Sequence, residues 1–457
     1  MERTAFYRTI WRWHFYAGLF VMPFILILSV TGALYLFKPQ VERWEERAWL
    51  DLPTARPVSP DDQREAALAA YPGAQFNSYR LPRHESDSAM IHLALPGGNT
   101  MLDVFVSPEG KVVGSLDPEA RLMAVDQKIH GQLLLGKKGS WLVELAASWA
   151  IVMILTGLCL WWPRGRGFAG VVWPRLNQGS RAAWRDLHAV TGFWVSGLAL
   201  VLLTTGLPWA DVWGSALKAV RTEMGWIKGK QDWTIGGQPS DLDEHAGHNH
   251  AAMLAAGAAI PAGAHTMPDG SVMTMSPVSL SEIVARAKSE HLAFPVIVTP
   301  PGPKADASWT VKSEAQNRPL RASIQFDAMT GAPVSRETFA EKHPIDRVVA
   351  YGVAWHEGQL FGWINQLIGV ATAAMLLTLS VSGFVMWRRR KPDNMLGAPP
   401  VSNAKLQSPI IKVLVVLLVF ALPMFAISVA TIWFFDRVVM SRMPRLARWL
   451  GLPSGAI

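Results

Sequence analysis

Cysteine is nearly absent from this chain. A single Cys159 in 457 residues excludes an internal disulfide and any thiolate-held metal cluster. Its place inside an apolar run makes it a small buried side chain rather than a reactive thiol. Charge is scarce as well: 17% of residues are charged and 50% hydrophobic. That is too apolar for a soluble protein of this length and too charged for one immersed wholly in lipid, so bilayer helices must alternate with water-facing domains. Tyrosine is rare, 6 against 21 tryptophans, and the tryptophans gather at the ends of apolar runs, where interface anchors sit. There is no metalloprotease helix, phosphate loop or nucleophile elbow, and no catalytic residue is assigned. Residues 165–170 match a dinucleotide fingerprint, but they follow an apolar run with no strand and no βαβ unit around them. Without a nicotinamide or flavin domain, electrons for any redox chemistry would come from a separate cytoplasmic donor or a quinone.

Five apolar stretches are long enough to cross a hydrocarbon core of ~30 Å, which takes about 20 helical residues. They are 15–37, 141–162, 187–209, 364–387 and 410–435. The first lacks an Ala-x-Ala cleavage site and is longer than a signal-peptide core, so it is read as retained. Arg3, Arg8 and Arg12 precede the first span. Arg164, Arg166, Arg175, Arg181 and Arg185 fill 164–186, and Arg388, Arg389, Arg390, Lys391 and Lys405 lie in 388–409. All three groups fall on one side, which is therefore the cytoplasmic one, and the N-terminus lies there. The net charge of +8 is thus accounted for by topology and gives no support for nucleic acid binding. Segments 38–140 and 210–363 are expected outside, and 436–457 forms a C-terminal tail.

The chain is a duplication. Each outer segment carries an amphipathic helical pattern, 60–71 and 279–291, then short alternating strands closing in a hairpin at 103–113 and 324–334. The expected architecture is a membrane helix bundle of duplicated 2+2 spans plus a fifth, with two small outer α+β domains. Span one opens at Trp11 with His14 and Gly18; span three opens at Trp184 with His188 and Gly192. His130 and Gly136 precede span two as His356 and Gly362 precede span four. Thr31–Gly32, Thr156–Gly157, Thr205–Gly206 and Ser382–Gly383 close the four duplicated spans.

In these histidine-bearing helix starts and paired outer segments, the stretch from Arg8 to Arg390 resembles the PepSY-associated transmembrane proteins of bacterial inner membranes. That group includes di-haem reductases of iron-siderophores. The resemblance implies PepSY-like periplasmic domains, two b-type haems and electron transfer across the membrane to a ferric siderophore or another ferric chelate. Parallel repeats bring His14 and His188 to one depth and His130 and His356 to another, as the two axial ligands of a six-coordinate haem iron require. Gly18 and Gly192, four residues after their histidines on the same helix face, would leave room for a flat macrocycle. Taken singly, each histidine reads as an interfacial polar residue and each glycine as a helix-packing residue; the fourfold pattern favours ligation.

The 243–275 insertion gathers His245, His248, His250 and His265 with four methionines. Imidazole and thioether suit a soft transition metal, but with no rigid scaffold evident a solvated Ala/Gly-rich loop is preferred. Two other readings stand beside electron transfer: a non-enzymatic membrane protein binding a partner or metal, and an iron or copper permease. A permease calls for polar groups along mid-membrane helix faces, and the spans carry few.

Overall fold

A computed structural model of the protein describes residues 2–97, 100–162, 169–226, 264–266, 272–274, 277–302, 308–400 and 409–452. The first half runs α1 (Glu2–Tyr35), α2 (Lys38–Glu45) and α3 (Pro60–Ala70). Strands β1 (Gln75–Arg80), β2 (Ala89–Ala94), β3 (Met101–Val106) and β4 (Val112–Leu116) follow, then α4 (Leu122–Gln132) and α5 (Lys137–Trp161). The second half repeats this order: α6 (Ser180–Gly206), α7 (Asp211–Glu223), a two-stranded pair β5 (Ala264–Thr266) and β6 (Val272–Thr274), and α8 (Leu280–Ser289). Strands β7 (Val296–Thr299), β8 (Ser308–Ser313), β9 (Ala322–Asp327) and β10 (Pro333–Thr338) precede α9 (Pro344–His356) and α10 (Trp363–Arg390). Outside the repeat lie α11 (Pro409–Ala421), α12 (Pro423–Val438) and α13 (Pro444–Trp449).

Helices α1, α5, α6 and α10 are each long and apolar enough to cross a membrane, and the chain is a multi-pass membrane protein. Within each half the two span helices pack together, α1 on α5 and α6 on α10. Between halves α1 packs on α10 and α5 on α6, closing a four-helix ring.

The outer segments do not form two separate domains. Their strands join in one antiparallel sheet of order β10-β9-β8-β7-β1-β2-β3-β4, with the seam at Tyr79 opposite Val298 and Arg80 opposite Ile297. That seam is short, and a shared core reinforces it. Tyr79, Ile91, Leu93 and Val104 from one half are buried with Ile283, Val298, Val311 and Phe326 from the other, each fully buried apolar side chain contributing roughly 1.5–3 kcal/mol. The two sheet helices start alike, with capping boxes Ser59–Asp62 and Ser279–Glu282 that satisfy their first amides. They also meet across the seam, where Asp61 accepts from the Ser281 amide at 2.9 Å and its hydroxyl at 2.5 Å.

The fifth apolar run, expected as a span at 410–435, is broken. Helices α11 and α12 meet at 118°. Pro423 has no N–H to continue the ladder and drives the preceding residue out of helical geometry; Leu422 sits at φ −128°, ψ 89°. The tail then returns to the start of α1. Arg12 donates to the carbonyls of Pro399 (2.5 Å) and Gly451 (3.3 Å), and the Tyr16 hydroxyl donates to Leu450 O (2.5 Å). The run therefore enters and leaves the bundle at the end where α1 begins. It is a re-entrant hairpin, and both ends of the described chain lie on one side.

Candidate functional site

Two of the four repeated histidines lie on span helices and two do not. His14 is on α1 and His188 on α6, at the end of the ring remote from the sheet. His130 and His356 end the short helices α4 and α9, tucked under the sheet. Each of these helices turns back into its span through a glycine, Gly136 at φ 57°, ψ −139° and Gly362 at φ 58°, ψ −139°. That region of backbone space is essentially closed to other residues, so both reversals require glycine and both histidines are delivered in the same way.

Ion pairs fix the placement of α4 and α9. Arg121, just before α4, reaches Glu46 at 2.8 Å and Glu45 at 3.2 Å, while Arg80 of β1 reaches Glu46 at 2.6 Å. Burial alone would raise the Glu46 carboxyl, but Arg80 and Arg121 outweigh it and hold it below the usual range. In the second half Arg318 pairs with Glu357 at 3.3 Å and Arg221 with Asp346 at 2.9 Å.

The rings meet in pairs. His14 and His188 have centroids 6.3 Å apart with planes at 80°; His130 and His356 have centroids 6.3 Å apart with planes at 83°. An imidazole nitrogen sits about 2 Å from a bound metal and about 1 Å from its ring centre, so two axial imidazoles on one iron place their centroids about 6 Å apart. Both pairs stand at that separation.

The Nδ1 atoms are already engaged. His14 Nδ1 donates to Met153 O at 3.0 Å and His188 Nδ1 to Leu379 O at 3.2 Å; a carbonyl only accepts, so the proton resides on Nδ1. His130 Nδ1 lies 2.9 Å from the Thr31 hydroxyl, whose own hydrogen goes to Ile27 O at 2.9 Å. His356 Nδ1 lies 3.1 Å from the Thr205 hydroxyl, which donates to Val201 O at 2.7 Å. Each hydroxyl must therefore accept. In all four rings Nε2 carries the free lone pair, the tautomer a metal ligand needs, with its orientation fixed from behind. Burial, and then the neighbouring His356, push the imidazole of His130 down to about 4; burial also lowers His356, against its contact with the Leu202 backbone. Both rings are neutral at neutral pH, as ligation demands.

One cavity of about 1510 Å³ runs through the ring and is lined by all four histidines. It exceeds the roughly 300–1,000 Å³ of an ordinary small-molecule site. The rise along α1 from His14 to Thr31, the residue holding His130, is about 25 Å at ~1.5 Å per residue, so the pairs lie near opposite faces of a ~30 Å hydrocarbon core.

Gly18 and Gly192 line this cavity but do not touch the histidines. A Cβ on Gly18 would meet Met153 Sδ at 3.7 Å, and one on Gly192 would meet Leu379 Cδ2 at 3.5 Å, both ordinary contacts. The glycines against the rings are four others. A Cβ on Gly157 would lie 3.1 Å from His14 Cε1, and one on Gly32 3.1 Å from His130 Cε1. On Gly206 it would lie 3.3 Å from His356 Cε1, and on Gly383 3.4 Å from His188 Cε1. The residue before each, Thr31, Thr156, Thr205 or Ser382, bonds the same ring. These hydroxyl–glycine pairs were visible in the sequence as span-closing repeats, but their role was not. The His245, His248 and His250 site falls outside the described residues. Among the described residues no group of three or more His, Cys, Asp or Glu is placed to hold a metal by side chains alone.

A family model described as the PepSY-associated TM region matches residues 11–390. No curated protein matches the chain.

Proposed function

The chain belongs to the PepSY-associated transmembrane family, and on that premise we propose that it carries electrons across a bacterial inner membrane through two b-type haems, one at each histidine pair. The observation that carries this reading is the recurrence of one geometry at two depths: facing imidazoles with centroids 6.3 Å apart. The residues present fit the group, with four deprotonated Nε2 atoms, four glycines clearing the rings and a cavity of sufficient size. Bound haem would supply one-electron chemistry at an iron that cycles between Fe(III) and Fe(II).

His14 and His188 would hold the group nearer the N-terminal face, and His130 and His356 the one beneath the sheet. Basic residues favour a cytoplasmic N-terminus, which makes the sheet periplasmic and its two halves PepSY-like units. The donor is then a cytoplasmic reductant or a quinol, and the acceptor a ferric siderophore or similar chelate. One electron converts chelated Fe(III) to Fe(II), which hard oxygen ligands hold less well, so reduction releases the metal. Sealed vesicles with a trapped reductant and an external ferric chelate test the path. Chelate reduction should require both pairs. Wild-type rates in a His14→Ala variant whose outer centre is intact would remove the inner pair from the route.

A further inference from the structure

The mouth of the cavity at the His14–His188 end is rich in guanidinium groups. Arg181, Arg185, Arg389 and Arg390 all line it. Arg185 is committed to Asp186 at 2.8 Å. Arg389 donates to the Ser180 hydroxyl at 2.5 Å and Arg390 to Gly397 O at 3.2 Å; neither group bonded carries charge. Arg390 lies over the rings of Trp11 (4.9 Å) and Phe15 (5.4 Å), and these residues flank His14 on α1. Its cation is thus stacked on the turn of α1 that carries His14, on the lining of the same cavity, with no carboxylate bonded to it among the described residues. The sheet end differs, because the cation lining it, Lys128, is paired with Glu119.

An apolar macrocycle with two carboxylates on one edge has only one good orientation in such a space. Between the histidine pairs the cavity wall is chiefly apolar, with Met22, Ile25, Val195, Leu198 and Leu376. The hydroxyls of Ser196, Thr372 and Ser380 donate to carbonyls of their own helices, so a carboxylate there would be buried with no cationic partner. At the mouth it meets planar, bidentate donors. Resting on the haem reading above, we propose that Arg390, backed by Arg389 and Arg181, is the carboxylate-binding edge of the His14–His188 site. It fixes which edge of the porphyrin points to the N-terminal face and raises the affinity of that centre for an electron.

The sign follows from charge: a cation near the iron favours the less positive Fe(II) state. Full-length protein in detergent, assayed for haem by pyridine haemochrome and titrated potentiometrically, tests the assignment. In Arg390→Gln the centre abolished by His14→Ala should lose about tenfold in its reduction equilibrium, ~59 mV for one electron. The other centre should not move, and Arg390→Lys should restore most of the shift. Selective depletion of that one haem, reversed by lysine, supports the same conclusion. Two unmoved centres in a combined Arg181→Gln, Arg389→Gln, Arg390→Gln protein would overturn it and leave these arginines to lipid headgroups. So would a lysine variant as impaired as glutamine. A wild-type protein with no haem would remove the underlying reading itself, a result distinct from either.

Discussion

Alanine at Gly157 is the most discriminating small change the site offers. Its Cβ would stand 3.1 Å from His14 Cε1 and 3.5 Å from Nδ1, where relaxed carbon contacts are ~3.5–4.0 Å. The ring must retreat by a few tenths of an ångström. It cannot do so freely, because Nδ1 is tied to Met153 O at 3.0 Å and lies 3.2 Å from the Thr156 hydroxyl, both on the helix that bears the new methyl. Overpacking of this kind costs ~1–3 kcal/mol. If the strain falls on the metal bond, haem affinity at that pair drops roughly five- to 150-fold. The four sites should rank by clearance: Gly157→Ala and Gly32→Ala strongest, Gly206→Ala weaker, Gly383→Ala weakest, since its 3.4 Å is already an ordinary contact. Gly18→Ala makes the informative contrast. The protein itself accepts that methyl at 3.7 Å, so any loss of haem there reports a macrocycle lying against α1. Titrating haem-depleted protein with haem, followed at the Soret band, gives all five affinities. A Gly157→Ala protein with wild-type affinity and an unchanged low-spin spectrum would refute the reasoning.

Three further outcomes are expected. Replacing His14 or His188 by alanine should take haem from about two per chain to about one and spare the other centre, with His130 and His356 acting as the reciprocal pair; unchanged spectra in all four would break the ligand assignment. Asp126 is buried on α4, its Oδ2 has no hydrogen-bond partner among the described residues, and burial pushes its carboxyl up to about 6. Because the folded value lies above the unfolded ~3.9, its ionisation penalty is absent below pH ~4, grows as pH rises and is complete above pH ~6. Asp126→Asn should therefore stabilise the protein at pH 8 by of order 1–2 kcal/mol, the full shift being trimmed for solvent screening, and should do nothing at pH 4; equal melting gains at both would show the charge is irrelevant. Finally, the re-entrant hairpin predicts that reporters fused to the two termini are accessible from the same face of the membrane, whereas a crossing fifth span puts them on opposite faces.

The duplication, the four span helices, the two sheet helices and the pairing of His14 with His188 and His130 with His356 were all legible because each repeats a local pattern. What was not legible depends on contacts between elements. Tyr79 and Val298 are paired across the seam, yet neither strand's alternation says that the other exists, so two domains were expected where one sheet forms. Pro423 was visible inside the fifth apolar run, but hydropathy alone made that run a span. Its reversal shows in the 118° angle between α11 and α12 and in the bonds from Arg12 and Tyr16 to the tail. Gly18 and Gly192 are spaced one turn from the histidines on the same helix, a relation that sequence carries. The glycines that touch each ring lie on a neighbouring helix, where sequence spacing carries no information.

The middle of the cavity argues against ion permeation. Between the two histidine levels the hydroxyls of three lining residues donate to the carbonyls of their own helices: Ser196 to Gly192 at 2.5 Å, Thr372 to Ile368 at 2.7 Å and Ser380 to Leu376 at 3.1 Å. Glu144, the only carboxylate on α5, is occupied in accepting from the Val212 and Trp213 amides at the start of α7, at 2.9 and 3.0 Å. A metal ion shedding its water in this stretch would meet chiefly Met22, Ile25, Leu198 and Leu376 and regain little of the lost hydration. The imidazoles cannot swing inward to ferry it, because each is pinned through Nδ1. An electron needs no coordinating path between sites. On the proposed reading it needs two fixed centres in a rigid, apolar medium, and a wall hostile to ions would serve to keep water from them.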